Sequence, residues 1–137
     1  MPNNEAIAYF DPGDDLSAHV EASVTGRRFV AVSDPKQVGS AALANDTLGG
    51  NIVVSPAGAG VRPLGVAAYD ASAGYKVPVI RGHKVVPVEA GAAITAGAEV
   101  ESDATGRAIT LATGKSCGIA LNSPTAAGQV AIVALDL

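Results

Sequence analysis

The chain has no tryptophan, one cysteine and one methionine, and aromatic residues make up only 4% of its 137 positions. Its core must therefore come from Val, Ile, Leu and Ala, which bury little area each at roughly 25 cal/mol per Å². The single cysteine, Cys117, excludes an internal disulfide. Placed between Ser116 and Gly118 beside an apolar run, it reads as a small buried filler and not a nucleophile. With 16 glycines to order and a core of small side chains, the chain is expected to complete its stability against a partner surface. Positive charge is also scarce, with 9 Lys and Arg against 13 Asp and Glu, giving a net charge of −4. Direct nucleic-acid binding needs a clustered basic patch. Arg27-Arg28 and the group Arg81, His83 and Lys84 are too few for that and read as solvated strand edges. His19 and His83 have no second His or Cys at ligand spacing, so no metal site is legible.

Long apolar runs are missing too. Ser116 to Leu135 carries no charge, but Asn122, Ser123, Pro124, Gly128 and Gln129 interrupt it. It reads as two strands and a loop, not a membrane span. Met1-Pro-Asn-Asn-Glu5 lacks the basic and apolar regions of a signal peptide, so a soluble protein made in the cytoplasm is expected.

What is present is β texture. In the run Val86 to Ile109, the apolar residues Val88, Ile94, Val100 and Ile109 are separated by Ala, Gly and Thr. Asp103-Ala-Thr-Gly106 supplies a turn ending on Gly, where a left-handed backbone costs least. His19 to Val24, Arg28 to Val32 and Asn51 to Val54 read as strands. Asp34 to Gly50 is a loop with one candidate helical turn at Ala41-Ala-Leu-Ala44. Tyr75 to Ile80 and Lys84 to Val88 look like two arms of a hairpin about Gly82-His83, with Pro78 opposite Pro87 at a pair that needs no donor. Leu64-Gly-Val-Ala-Ala68, a loop and Ala73-Gly-Tyr-Lys-Val-Pro-Val79 are echoed by Cys117-Gly-Ile-Ala-Leu121, a loop and Ala127-Gly-Gln-Val-Ala-Ile132. The echo predicts a pseudo-repeated barrel or sandwich.

These patterns predict a mainly β fold, a small Gly/Ala-rich β-barrel or sandwich with short hairpins and little helix. An extended N-terminal arm over residues 1–16 precedes a single β domain over 17–137. In the arm, Ile7, Tyr9 and Phe10 are bulky groups that so short a segment cannot bury alone, which makes them candidate contacts to a partner.

Several chemical motifs fail on inspection. Gly114-Lys-Ser116 resembles the end of a phosphate-binding loop, but Ile109 stands where the first Gly belongs and a strand follows. Gly58-Ala-Gly60 resembles a dinucleotide turn, but Pro63 takes the third Gly position. No Gly-x-Ser-x-Gly elbow supports a serine nucleophile. Asp14-Asp15 and Glu99, Glu101 and Asp103 read as solvated turn residues. No catalytic constellation and no cofactor are expected, and the chain is not read as an enzyme.

Val24-Thr-Gly-Arg-Arg-Phe-Val-Ala-Val-Ser33, Leu64-Gly-Val-Ala-Ala-Tyr-Asp70, Lys76-Val-Pro-Val-Ile-Arg-Gly82 and Val88 to Val100 resemble the capsid decoration, or cement, proteins of tailed bacteriophages. The likeness is greatest to the small head-decoration proteins of phages infecting actinobacteria and runs from about residue 11 to the C-terminus. It implies a structural virion protein, made in the host bacterial cytoplasm, that binds the outside of the expanded capsid. It further implies that the protein clamps adjacent subunits of the major capsid protein, commonly as a homotrimer, without catalytic residues. The alternative is a small β carrier module of biotinyl or lipoyl type. That would need a modifiable lysine at a hairpin tip, for which Lys84 and Lys115 are the nearest candidates.

Overall fold

The computed structural model describes residues 16–33 and 52–137. It contains ten strands and, among the described residues, no helix. Strands β1 (Leu16–Val20), β2 (Phe29–Val32), β3 (Val53–Pro56), β4 (Gly65–Ala67) and β5 (Lys76–Ile80) close into a barrel in the order β1-β3-β2-β4-β5. Strands β6 (Val85–Glu89), β7 (Glu99–Ser102), β8 (Ala108–Thr110), β9 (Gly118–Ala120) and β10 (Val130–Leu135) form a five-stranded sheet in the order β6-β10-β9-β7-β8. Leu16 is therefore already a barrel residue, paired with Val79. The helical turn expected at Ala41–Ala44 and the arm residues Ile7, Tyr9 and Phe10 lie outside the described residues.

The two halves are one design used twice. Leu16↔Val79 and Ala18↔Val77 in the barrel correspond to Val86↔Val133 and Val88↔Ala131 in the sheet. Phe29↔Val66 corresponds to Glu99↔Ile119, and Val30↔Pro56 to Val100↔Thr110. Even the parallel pair that closes the barrel, Val20↔Val54, survives in the sheet as the isolated parallel bridge Ala90↔Ala108. Irregular segments match as well. Val24 N–H donates to Ala71 O as Ile94 N–H donates to Pro124 O, and Gly74 N–H donates to Val20 O as Gly128 N–H donates to Ala90 O. The inward residues follow the same map. Leu16, Ala18, Val20, Val24, Val30 and Val54 fill one core, and Val86, Val88, Ala90, Ile94, Val100 and Ala108 fill the other. The echo in the sequence is thus the hairpin β4–β5 repeated as β9–β10, within a duplication that spans all ten strands.

Glycine marks the tightest point of each hairpin. A Cβ on Gly65 would strike Ile80 O, and one on Gly118 would strike Ala134 O, so the paired backbones admit no side chain at either position. Burial alternates along β5, β6 and β10, as expected for strands with one covered face.

The halves differ at their seams. In the barrel, His19 N–H donates to Ile52 O and joins β1 to β3. The counterpart groups in the sheet are Glu89 N–H and Gly106 O, and they do not bond each other. Glu89 N–H donates to Arg27 O at 2.8 Å, and Gly106 O accepts from Phe29 N–H at 2.7 Å. The first half therefore sets the backbone of Arg27 to Phe29 between β6 and β8, the two edge strands of the sheet. Phe29, Ala31, Ala57 and Val66 join the second core across this seam.

Several expectations are corrected. Tyr75–Ile80 and Lys84–Val88 do contain strands, but β5 pairs with β1 and β4 while β6 pairs with β10. Gly82, at φ 88, turns the chain from one half into the other instead of closing a hairpin, and its N–H donates to Leu137 O. Pro87 still sits where no donor is needed. Glu89 N–H faces away from β10, so by strand alternation the donor-less Pro87 also faces the side of β6 away from β10. Strand β8 points Ala108 inward, leaving Ile109 half-buried. Glu101 is no solvated turn residue. It is buried, and its Oε2 accepts from the N–H groups of Ala112 and Gly114.

Candidate functional site

A strand that packs on one face only should carry polar residues on the other. Strands β6, β10 and β9 do not. Val130 and Ile132 of β10 point away from the core, as do Val85 and Pro87 of β6 and Ile119 of β9. Register sets them in two rows, Val85–Ala134–Ile119 and Pro87–Ile132, the second extended by Leu121, whose N–H donates to Ile132 O. Exposure is 59% at Val85, 49% at Leu121 and 41% at both Ile119 and Ile132, so these side chains are not filling a core. Asn122 holds the margin of the face, its side chain accepting from Ile132 N–H and donating to Val130 O as a backbone group would.

The first half shows that the fold does not require this apolar surface. In place of Pro87, Val130, Leu121 and Ile132 it carries Ser17, Lys76, Ala68 and Pro78, two of them polar and the other two smaller. Its residues equivalent to Ile119 and Ala134 are Val66 and Ile80, which pack into the second core across the seam. The sequence signal for the exposed face was the run Val-Ala-Ile-Val-Ala-Leu at 130–135, apolar on both sides of one strand. The expected contact residues Ile7, Tyr9 and Phe10 lie outside the described residues, so none can be placed near this face.

The seam carries the charged groups. Arg28 Nη2 donates to Glu89 Oε2 at 2.8 Å, and Arg107 Nε lies 3.8 Å from the same oxygen and 3.0 Å from Asp103 Oδ2. Arg28 is therefore paired and half-buried, not a solvated edge. Partial burial alone would raise the Asp103 carboxyl, but the backbone N–H groups of Arg107 and Thr105, the Thr105 hydroxyl and the Arg107 guanidinium hold it below its ordinary value of 3.8. Burial pushes the Cys117 thiol up to about 12, only partly opposed by Arg62, so it stays protonated and unreactive.

A cavity of about 250 Å³ lies beside the seam, lined by Ser23, Thr25, Arg28, Phe29 and Thr105 among others. It contains no nucleophile paired with a base. Among the described residues no group of His, Cys, Asp and Glu could hold a metal ion, and no helix is long and apolar enough to cross a membrane. Lys84 lies between β5 and β6, and Lys115 between β8 and β9, pairs of strands that are not neighbours, so neither lysine tops a hairpin.

Surface and core thus point to a protein that works by contact. A sequence model of the phage cement protein family matches residues 10–135. The chain belongs to the phage cement proteins. It is accordingly a bacteriophage structural protein, capsid-associated and part of the virion, and not an enzyme. A solved structure, the N base of the head fiber gp8.5 of bacteriophage phi29, shares the fold of this cement protein with a TM-score of 0.69 and 20% identity. The match covers 89% of this chain and 92% of that one. No curated protein sequence matches.

Proposed function

We propose that this cement protein binds the outer surface of the expanded capsid and ties adjacent major capsid protein subunits together, as a homotrimer. The family match over residues 10–135 carries the reading. The net charge of −4 supports it, since an acidic protein suits the outside of a shell better than the side facing packaged DNA. Residues 2–12 supply an anchor in this reading, with Ile7, Tyr9 and Phe10 seated on the major capsid protein or on a neighbouring copy. Each such side chain contributes roughly 1.5–3 kcal/mol when buried, enough for a few to hold a small protein at many equivalent positions.

The test is decoration of purified expanded shells by the full chain and by a chain lacking residues 2–12. Full occupancy by the intact chain, with weaker binding by the shortened one and unchanged thermal unfolding, is the expected result. Equal binding by both chains removes the arm from the proposal. Failure of the intact chain to bind shells removes the proposal itself.

A further inference from the structure

We infer that the outer face of β6, β10 and β9 is where one copy of this chain packs on another. Two observations carry it. The first is the contrast between halves: the positions that hold Ser17, Lys76, Ala68 and Pro78 in the barrel hold Pro87, Val130, Leu121 and Ile132 in the sheet, where the last three are exposed. Since the fold is satisfied by two polar residues and two smaller apolar ones at these positions, the larger exposed apolar set answers to something outside the fold.

The second observation identifies that something. In the first half, Val66 and Ile80 lie on the outer side of β4 and β5 and pack against the second half. The unit that covers this position within the chain is therefore another unit of the same design. The second half presents the equivalent position through Ile119 and Ala134, enlarged by Ile132 and Leu121, with no described residue covering it. A second copy supplies the missing cover. The side of β6 away from β10 is ill suited to strand pairing, because Pro87 lacks a donor there and Glu89 N–H is already bonded to Arg27 O. The face offers contact through side chain on side chain instead.

The inference deepens the proposed trimer by naming the surface that joins the copies. Sedimentation equilibrium of the full chain over a range of concentrations tests it, using Ile132→Lys on β10 and Leu121→Glu beside β9. Ala68→Glu, at the barrel position equivalent to Leu121, is the control. The expected result is self-association of the parent chain, weakened at least about tenfold in each face variant and unchanged in the control. Circular dichroism and thermal unfolding confirm that the variants fold, and Val85→Asn, on β6, replaces either one that does not. Identical sedimentation of parent and face variants, whether all monomeric or all associated, overturns the inference.

Shell binding is read separately to keep the two proposals apart. Face variants that lose shell binding while associating like the parent chain assign the face to the capsid protein and also overturn the inference. A parent chain that self-associates through the face but never binds shells upholds the inference and defeats the capsid-binding proposal.

Discussion

The closed barrel and the sheet built on the same plan solve one problem in two ways. Each must satisfy the strand edges where its first and third strands meet. The barrel does so internally, through His19 N–H and Ile52 O. The sheet keeps only the bridge Ala90↔Ala108 and takes its remaining partners from Arg27 and Phe29 of the first half. The first half can close on its own hydrogen bonds, whereas the second is complete only against the first. The lesson is that an open seam in one unit becomes the joint between two, with Glu89 N–H and Gly106 O both bonded across it.

The sharpest test of the equivalence is at the paired glycines. Gly118→Ala sets a Cβ against Ala134 O at φ 144 and should destabilise by more than about 3 kcal/mol. Gly65→Ala, its counterpart, should show a loss of similar size by thermal or denaturant unfolding. Gly74→Ala and Gly128→Ala meet open space and carry only the left-handed backbone penalty, about 1–2 kcal/mol each. A mild Gly65→Ala beside a severe Gly118→Ala would break the symmetry between the hairpins.

The joint is tested next. Glu89→Gln removes the charge that Arg28 and Arg107 share across the seam and should cost about 1–2 kcal/mol. It should loosen the second half more than the first, which hydrogen exchange resolves. Uniform loosening of both halves would mean that they unfold as one unit regardless of the seam.

Little net change is expected from the third comparison. The β2–β3 connection spans residues 33–52, whereas β7–β8 uses only 103–107, yet both are closed alike: Ser33 N–H donates to Val53 O as Asp103 N–H donates to Arg107 O. Replacing residues 34–52 by Ala-Thr-Gly should therefore preserve the barrel. The shorter loop contributes about 1 kcal/mol, offset by the loss of Ile52 from the barrel core, so thermal unfolding followed by circular dichroism should show little net change.

The smallest effect concerns acid. The folded Asp103 carboxyl titrates below its ordinary 3.8, so its contribution is fully present above that value and is lost as pH falls through the lower, folded one. Asp103→Asn should flatten this acid limb of stability, measured by denaturant midpoints between pH 5 and 2. Ser33, the counterpart in the barrel, has no such limb to lose.

Much of the architecture was legible because small apolar residues alternate and Gly punctuates them. The β4–β5 and β9–β10 hairpins could be matched because both keep Gly-x-Ala and a closing Ala-Gly. The rest of the duplication was hidden for two physical reasons. Inward positions exchange freely among Val, Ala, Leu and Ile, as at Val20 and Ala90 or Val77 and Ala131, since each fits a core of small side chains. The long 33–52 connection also shifts the spacing between otherwise matching strands. Gly82-His83 misled because local turn chemistry cannot reveal that β5 is claimed by β1, far upstream in the chain. The exposed face escaped notice for a related reason: composition alone does not separate an apolar residue facing a core from one facing outward.

Head-to-tail insertion is a mode of assembly that can continue without limit, each unit offering its successor the slot it received, and contacts of that kind grow filaments. Here the run ends after a single step. The second unit's slot is filled from within its own chain, and the first unit's slot is shut by His19 and Ile52. Among the described residues, no acceptor slot is left open for strand exchange between copies.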